Sequence, residues 1–190
     1  MVNKKNRSFI IFLVSVNTMF MCSSHKDNNV DGPTYELLND FFARKEIPCF
    51  CKYKYIDDQF ALLDIPKEDL QKLKKMDSIF NEDDVDYISE QFARTSKAKI
   101  IKERIASPNV ISVAEMGNKS QKEFWEKFEN KYHQNVYSSV SKPLFSKDHQ
   151  KAVISSRSHT TDGPSWGAVY IFVKKNNTWT PVVQWMMYED

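Results

Sequence analysis

Apolar positions in residues 33–45 recur at helical spacing. Tyr35, Leu38 and Phe42, joined by Leu37 and Phe41, form one stripe behind Pro33, whose fixed φ suits a first helical turn. The spacing predicts a helix over 33–45. A second, short helix is expected from Pro66 through KEDLQKLKKM, with Leu70 and Leu73 facing inward. A third starts after Asn81, a plausible N-cap. Glu82, Asp83 and Asp84 suit the positive end of its dipole, and Val85, Ile88 and Phe92 share its buried face. The fourth, in KSQKEFWEKFENKYHQN, has Phe124, Phe128 and Tyr132 four apart with Trp125 widening the stripe, and Ser120 with Glu123 as a capping box. The aromatic stripe reads as core rather than as a ligand platform.

Elsewhere the period is two. Phe50, Lys52 and Lys54 alternate with Cys51, Tyr53 and Tyr55, which predicts a short strand, and further strands are expected around Ile100–Ile105 and Val110–Ala114. In the last 50 residues SKPLFS and KAVISSRSH flank the turn KDHQ. GAVYIFVKK and TWTPVVQWMM flank Asn176-Asn177, a two-residue hairpin turn. That turn sets Val173 opposite Thr180 and Ile171 opposite Val182 on one face. On the other it sets Phe172 opposite Pro181, Tyr170 opposite Val183 and Ala168 opposite Trp185. The predicted class is α+β: about four helices packed on an antiparallel sheet that ends in a C-terminal β-meander.

Charge adds a compartment to this picture. The net charge is +2, but Lys4, Lys5 and Arg7 are the only charges in the first 21 residues, leaving about −1 for the remainder. A near-neutral body lacks the basic footprint of a nucleic-acid binder. SFIIFLVSVNTMFM follows the basic cluster without a charge and falls short of the roughly 20 residues a membrane span needs. Residues 1–22 therefore read as an export signal. Cys22, where the apolar run stops, resembles the lipidation site of bacterial lipoproteins; cleavage near Ser24, releasing a soluble protein, is the alternative. Residues 23–31 then form a polar tether and 32–190 a single domain, held at a membrane surface by acyl chains.

The other cysteines, Cys49 and Cys51, leave three readings open: two thiols on one strand face, a disulfide strained by the single intervening residue, or half of a metal site with no second half. The four histidines show no metal-ligand spacing, and Glu82, Asp83, Asp84 and Asp86 lack the glycine and terminal glutamate of a calcium loop. No glycine-rich phosphate loop is present. No metal or cofactor is expected.

RSHTTDGPSWGAVYIF holds the remaining candidate chemistry. Residues 152–159 and 168–175 read as adjacent strands, with Asp162-Gly163-Pro164 as turn chemistry between them. Ser155, Arg157 and His159 share one strand face, which reads as solvated and is suited to an anion or carboxylate. Ser165, His159 and Asp162 lie too close along one turn to converge as a catalytic triad. Arg157, His159, Asp162 and Trp166 remain as a candidate binding surface, arginine and tryptophan being enriched in binding hot spots. No catalytic residue is assigned.

LLNDFF, FNEDDVDYISEQF, SKPLFSKDHQKAVI and AVYIFVKKNNTW, together with the lipoprotein-like start, resemble in content and order a group of uncharacterised bacterial envelope proteins. The resemblance spans roughly residues 35–185 and implies an exported α+β domain. Members carry Cys and Gly in the loop equivalent to 160–167, where this chain has no Cys, so no loop disulfide transfers. The reading that follows is a lipid-anchored envelope protein acting as a binding or interaction module toward an envelope protein or ligand. The alternatives are an envelope hydrolase, which would need a second titratable group such as Glu115 to converge with His159 in a pocket, and a toxin-neutralising immunity-type protein.

The intact mass of the protein purified from its native envelope is expected to show a chain that begins at Cys22 and carries acyl groups, and Cys22→Ala is expected to lose them. Full-length chain with Met1 in the soluble fraction overturns this.

Overall fold

The computed structural model describes residues 31–44, 54–63, 72–73, 76, 78–95, 97–119, 122–161 and 165–188. The described elements run α1 (Gly32–Ala43), β1 (Tyr55–Asp57), α2 (Glu82–Arg94), β2 (Asn109–Ile111), α3 (Lys122–Tyr132), β3 (Val136–Val140), β4 (Leu144–Phe145), β5 (Lys151–Thr160), β6 (Trp166–Lys175) and β7 (Thr178–Tyr188). The class is mixed α+β. Three α-helices are described, one fewer than expected; most of the segment from Pro66 lies outside the described residues, as do Ser120 and the stretch from Phe50 to Tyr53. No described helix is long and apolar enough to cross a membrane.

The seven strands form one sheet in the order β2-β1-β3-β5-β6-β7, with β4 pairing β5 off this path. It is not purely antiparallel. β1 runs parallel to β2 (Ile56 opposite Val110) and to β3 (Ile56 opposite Ser138), whereas β3 through β7 form the expected antiparallel series. β5 and β6 pair as adjacent strands, Ser155 opposite Val169. The hairpin turns at Asn176 and Asn177, both at positive φ (50° and 60°), a pair of left-handed residues whose twist matches that of the strands they join. Val173 faces Thr180 and Phe172 faces Pro181 as predicted, but a bulge then takes up Val182 and shifts the register by one. Ile171 therefore faces Val183, Tyr170 faces Gln184 and Val169 faces Trp185.

Residues 100–105 are not a strand. Lys102–Arg104 form a 3-10 turn, and side chains of α1 take the place of a neighbouring strand. The Ile101 amide donates to the Tyr35 hydroxyl (2.8 Å), and the Ala106 amide to Asn39 Oδ1 (2.9 Å). Asn39 Nδ2 in turn donates to the Arg104 carbonyl (3.0 Å), and the Arg104 guanidinium lies over the Tyr35 ring, 4.1 Å from its centroid.

Strand alternation gives the sheet two unlike faces. On the first, Ile56, Val140, Ile154, Tyr170 and Phe172 pack against Tyr35, Leu37, Leu38 and Phe41 of α1. Phe41 meets Tyr170 (5.2 Å) and Phe172 (5.9 Å) edge-on, a favoured aromatic geometry. Trp179, fully buried, ties the hairpin to the helix: its amide donates to Asp40 Oδ2 (2.9 Å) and its carbonyl accepts from the Arg44 guanidinium. The second face is covered in two separate patches. Val85 and Ile88 of α2 pack with Leu144, Val153, Val169 and Ile171 at one end. Phe124 and Phe128 of α3 pack with Ile111, Val113 and Tyr137 at the other. α2 is held by its predicted cap: the Asp84 amide donates to Asn81 Oδ1 (2.8 Å) and the Asn81 amide to Asp84 Oδ2 (3.4 Å). The buried Asp84 carboxylate also accepts from Lys151 Nζ (2.6 Å) on β5.

Replacing Asn177 by alanine, which resists positive φ, is expected to lower unfolding stability by about 1 kcal/mol. Asn177→Gly is expected to leave it equal or higher, both read from urea denaturation midpoints. Equal losses in the two variants contradict the turn assignment.

Candidate functional site

Between the two covered patches of the second sheet face, the residues turn polar. Asp57 on β1, Ser139 on β3, and Ser155 and Arg157 on β5 alternate onto this face, because Ser139 sits opposite Arg157 and Ile56 opposite Ser138. His159 sits opposite Tyr137 one step along, and the two rings stack at 4.7 Å. These residues form the floor of a cleft of about 690 Å³. Its walls are Val113, Ala114 and Gly117–Lys119 from the segment after β2 and Phe60–Leu63 from the segment after β1, and Lys97 completes the lining. Gly117, at φ +103°, turns the chain along that wall in a conformation that favours glycine.

Of the candidate binding residues, Arg157 and His159 line this cleft. The expectation of a solvated strand face for them is corrected: Ser155 and His159 are buried and Arg157 is half-buried, because the flanking segments rise on both sides. Trp166 is the first residue of β6, opposite Ser158; it is half-buried and does not line the cleft. Asp162, Cys22, Cys49 and Cys51 lie outside the described residues. Glu115 stands exposed on a 3-10 turn, away from the cleft lining; the carboxylate that joins His159 there is Asp57. Among the described residues no cluster of His, Cys, Asp and Glu suits a metal ion.

The bonding of His159 fixes what it can do. Lys119 Nζ lies 3.5 Å from Nδ1, and Ser139 Oγ lies 3.0 Å from Nε2. An ammonium has only hydrogens to give, so the tautomer that satisfies both contacts is the one with Nδ1 bare and the proton on Nε2, donated to Ser139. Burial, then the nearby Lys119 and Arg157 charges, hold the imidazole down to about 3, so it is neutral at physiological pH. Asp57 is displaced the opposite way. Burial pushes its carboxyl up to about 6, with the amide of Val113 opposing and the Asp58 charge adding to the rise. Tyr137 is pushed up by burial and by Asp57, so it remains a neutral phenol.

Asp57, Ser139 and Lys119 are absent from the residues expected to act. Ser139 had a readable signal, since Val136, Ser138 and Val140 alternate with Tyr137 and Ser139. Asp57 and Lys119 had none, because only long-range strand pairing and the turn at Gly117 bring them to His159. Comparison with protein-family models, with curated proteins and with solved structures finds no match. The chemistry of the site is therefore carried by its geometry.

The two displaced groups act on stability in opposite directions. Unfolding returns His159 to about 6.5, so the unfolded chain takes the proton first and stability falls as pH drops from there toward 3. The fold holds a proton on Asp57 that the unfolded chain releases near 3.8, so stability falls as pH rises from there toward 6. Between about pH 4 and 6 the slopes oppose one another. Relative to wild type, Asp57→Asn is expected to make stability rise more steeply with pH in this window, and His159→Gln to make it rise less steeply or fall. Denaturant titrations at three pH values measure both, and changes of the same sign in the two variants refute the assignment.

Proposed function

We propose that this chain is an exported, lipid-anchored binding module of the cell envelope, and that it holds a small ligand in the cleft between α2 and α3. The observation that carries the binding role is the cleft itself: concave, with a polar floor from three strands and an apolar wall at Ala61, Leu62 and Leu63. Ligand sites combine a largely apolar surface with a few convergent polar groups in this way. Export and anchoring rest on the basic, apolar and cysteine sequence of residues 1–22.

An envelope hydrolase is the second reading, favoured by the approach of Ser139 Oγ to His159 Nε2 at 3.0 Å. The direction of that hydrogen bond weighs against it. An imidazole that donates its N–H to the serine cannot at the same time accept the serine proton. A base also needs a partner that stabilises its charged form, whereas Lys119 at Nδ1 repels it.

Native mass spectrometry of the full chain purified from its own membranes is expected to show a co-purified small molecule. Two rim substitutions that obstruct the cleft, Leu62→Trp and Ala114→Trp, are expected to lose that mass while melting like wild type. Trp166→Ala, at the sheet end, is expected to retain it. Loss with Trp166→Ala and retention with both rim variants moves the site to the strand end and overturns the cleft.

A further inference from the structure

Among the described residues, two buried carboxyl oxygens beside the cleft lack a hydrogen-bond partner: Oδ1 of Asp57, the last residue of β1, and Oδ1 of Asp58, which follows it. The other side of each carboxyl is engaged. Asp57 accepts from the main-chain amides of Val113 and Gln59, and Asp58 Oδ2 lies 3.7 Å from Lys99 Nζ. Neighbours on a strand point to opposite faces, but the chain bends at Asp58, and the two carboxyls come into hydrogen-bonding contact with each other. Two ionised carboxylates bring only lone pairs to such a contact, so it repels and leaves both buried acceptors unmet. A single proton answers both at once, because a carboxyl that carries one donates to its neighbour. We infer that Asp57 and Asp58 share one proton, carried by Asp57 and donated to Asp58, and that its release recharges the cleft floor.

The surroundings fix which partner carries the proton. Lys99, whose segment bridges to Gln59, faces Asp58 and holds the negative charge on that side. Toward the cleft, Asp57 acts on Tyr137 of β3, a neutral phenol, on which the neutral ring of His159 is stacked. Lys97, Lys119 and Arg157 also line the cleft, but the largest influences on the Asp57 carboxyl are burial, the Val113 amide and Asp58. Together these push it up to about 6, so the proton leaves just below neutral pH. The main chain at this corner is pinned: the Asp58 amide donates to the Ile111 carbonyl (2.7 Å), the Ile100 amide to the Asp58 carbonyl (2.7 Å) and the Phe60 amide to the Ala98 carbonyl (2.8 Å). Release of the proton therefore falls on the side chains. The Asp58 carboxylate turns outward to Lys99, and Asp57 stays in the floor as a charged acceptor. The switch belongs to the cleft whether or not a ligand occupies it.

Carboxyl carbon shifts of the full chain in detergent, followed by NMR from about pH 3 to 8, test the sharing. Asp57 is expected to titrate with a midpoint near 6, and the Asp58 carboxyl signal to move in the same step, because the proton belongs to the pair. Asp58→Asn puts an amide donor where the second acceptor stood, and the Asp57 midpoint is expected to fall to about 5 or below. Lys99→Gln, at an exposed position, is expected to raise that midpoint by removing the cation that faces Asp58, and it gives a second reading should Asp58→Asn fail to fold. An Asp58 signal that stays still through the Asp57 step, or an Asp57 midpoint unchanged in the variants, leaves burial as the whole cause and overturns the shared proton. A midpoint lowered by millimolar calcium or magnesium gives the two oxygens to a metal ion and overturns it as well.

Discussion

The arrangement of α2, α3 and the cleft follows from one constraint: the second face of the sheet is not covered along its whole length. A helix laid over Asp57, Ser139, Arg157 and His159 with apolar side chains would strip water from a run of polar and charged groups, at a cost of about 1–3 kcal/mol for each one left unsatisfied. The face is therefore divided. α2 takes the stretch where β4, β5 and β6 present Leu144, Val153, Val169 and Ile171, and α3 takes the stretch where β2 and β3 present Ile111 and Tyr137. The cleft is what remains between them. Its position is set by where polar side chains fall in the alternation of β1, β3 and β5.

The first face shows the difference. Its apolar residues run from Ile56 on β1 to Phe172 on β6 under a single helix, α1, with the ring cluster of Tyr35 and Phe41, and its buried serines Ser138 and Ser158 lie within 3.4 Å of each other across β3 and β5. The bonds that fix α1 also organise its surroundings. Asp40 and Arg44 grip both backbone groups of Trp179, while Asn39 and Tyr35 hold residues 101–106 in place.

Local signals carried far into this structure, and long-range ones did not. The stripes of α1 and α3, the Asn81 cap and the Asn176-Asn177 turn depend on residues within four or five positions of one another, and each was legible as written. The Val182 bulge was not, because the strict alternation of β7 gives no sign that one residue stands outside the ladder. Ile100, Ile101 and Ile105 imitate a strand, but the Ile100 amide donates to Asp58 and the Ile101 amide to Tyr35 of α1, partners that only the folded chain brings near, while the Ile105 amide closes a local turn on the Lys102 carbonyl. The parallel pairing of β1 joins segments about eighty residues apart through one register pair, Ile56 with Ser138, so it leaves no trace in a local pattern. The site was legible to the same extent. Arg157 and His159 stood out on their own strand, whereas Asp57 and Lys119 acquire their roles from that pairing and from the turn at Gly117.

The two borders of the sheet formed by the described strands, β2 and β7, are both poor templates for another chain. β2 offers only three residues, Asn109–Ile111. β7 is long, but Pro181 has no amide hydrogen to offer and the bulge beside it bends the ladder out of line. A strand from a neighbouring molecule would find one border too brief and the other out of step. Neighbouring copies would thus remain separate bodies rather than fusing edge to edge into fibres.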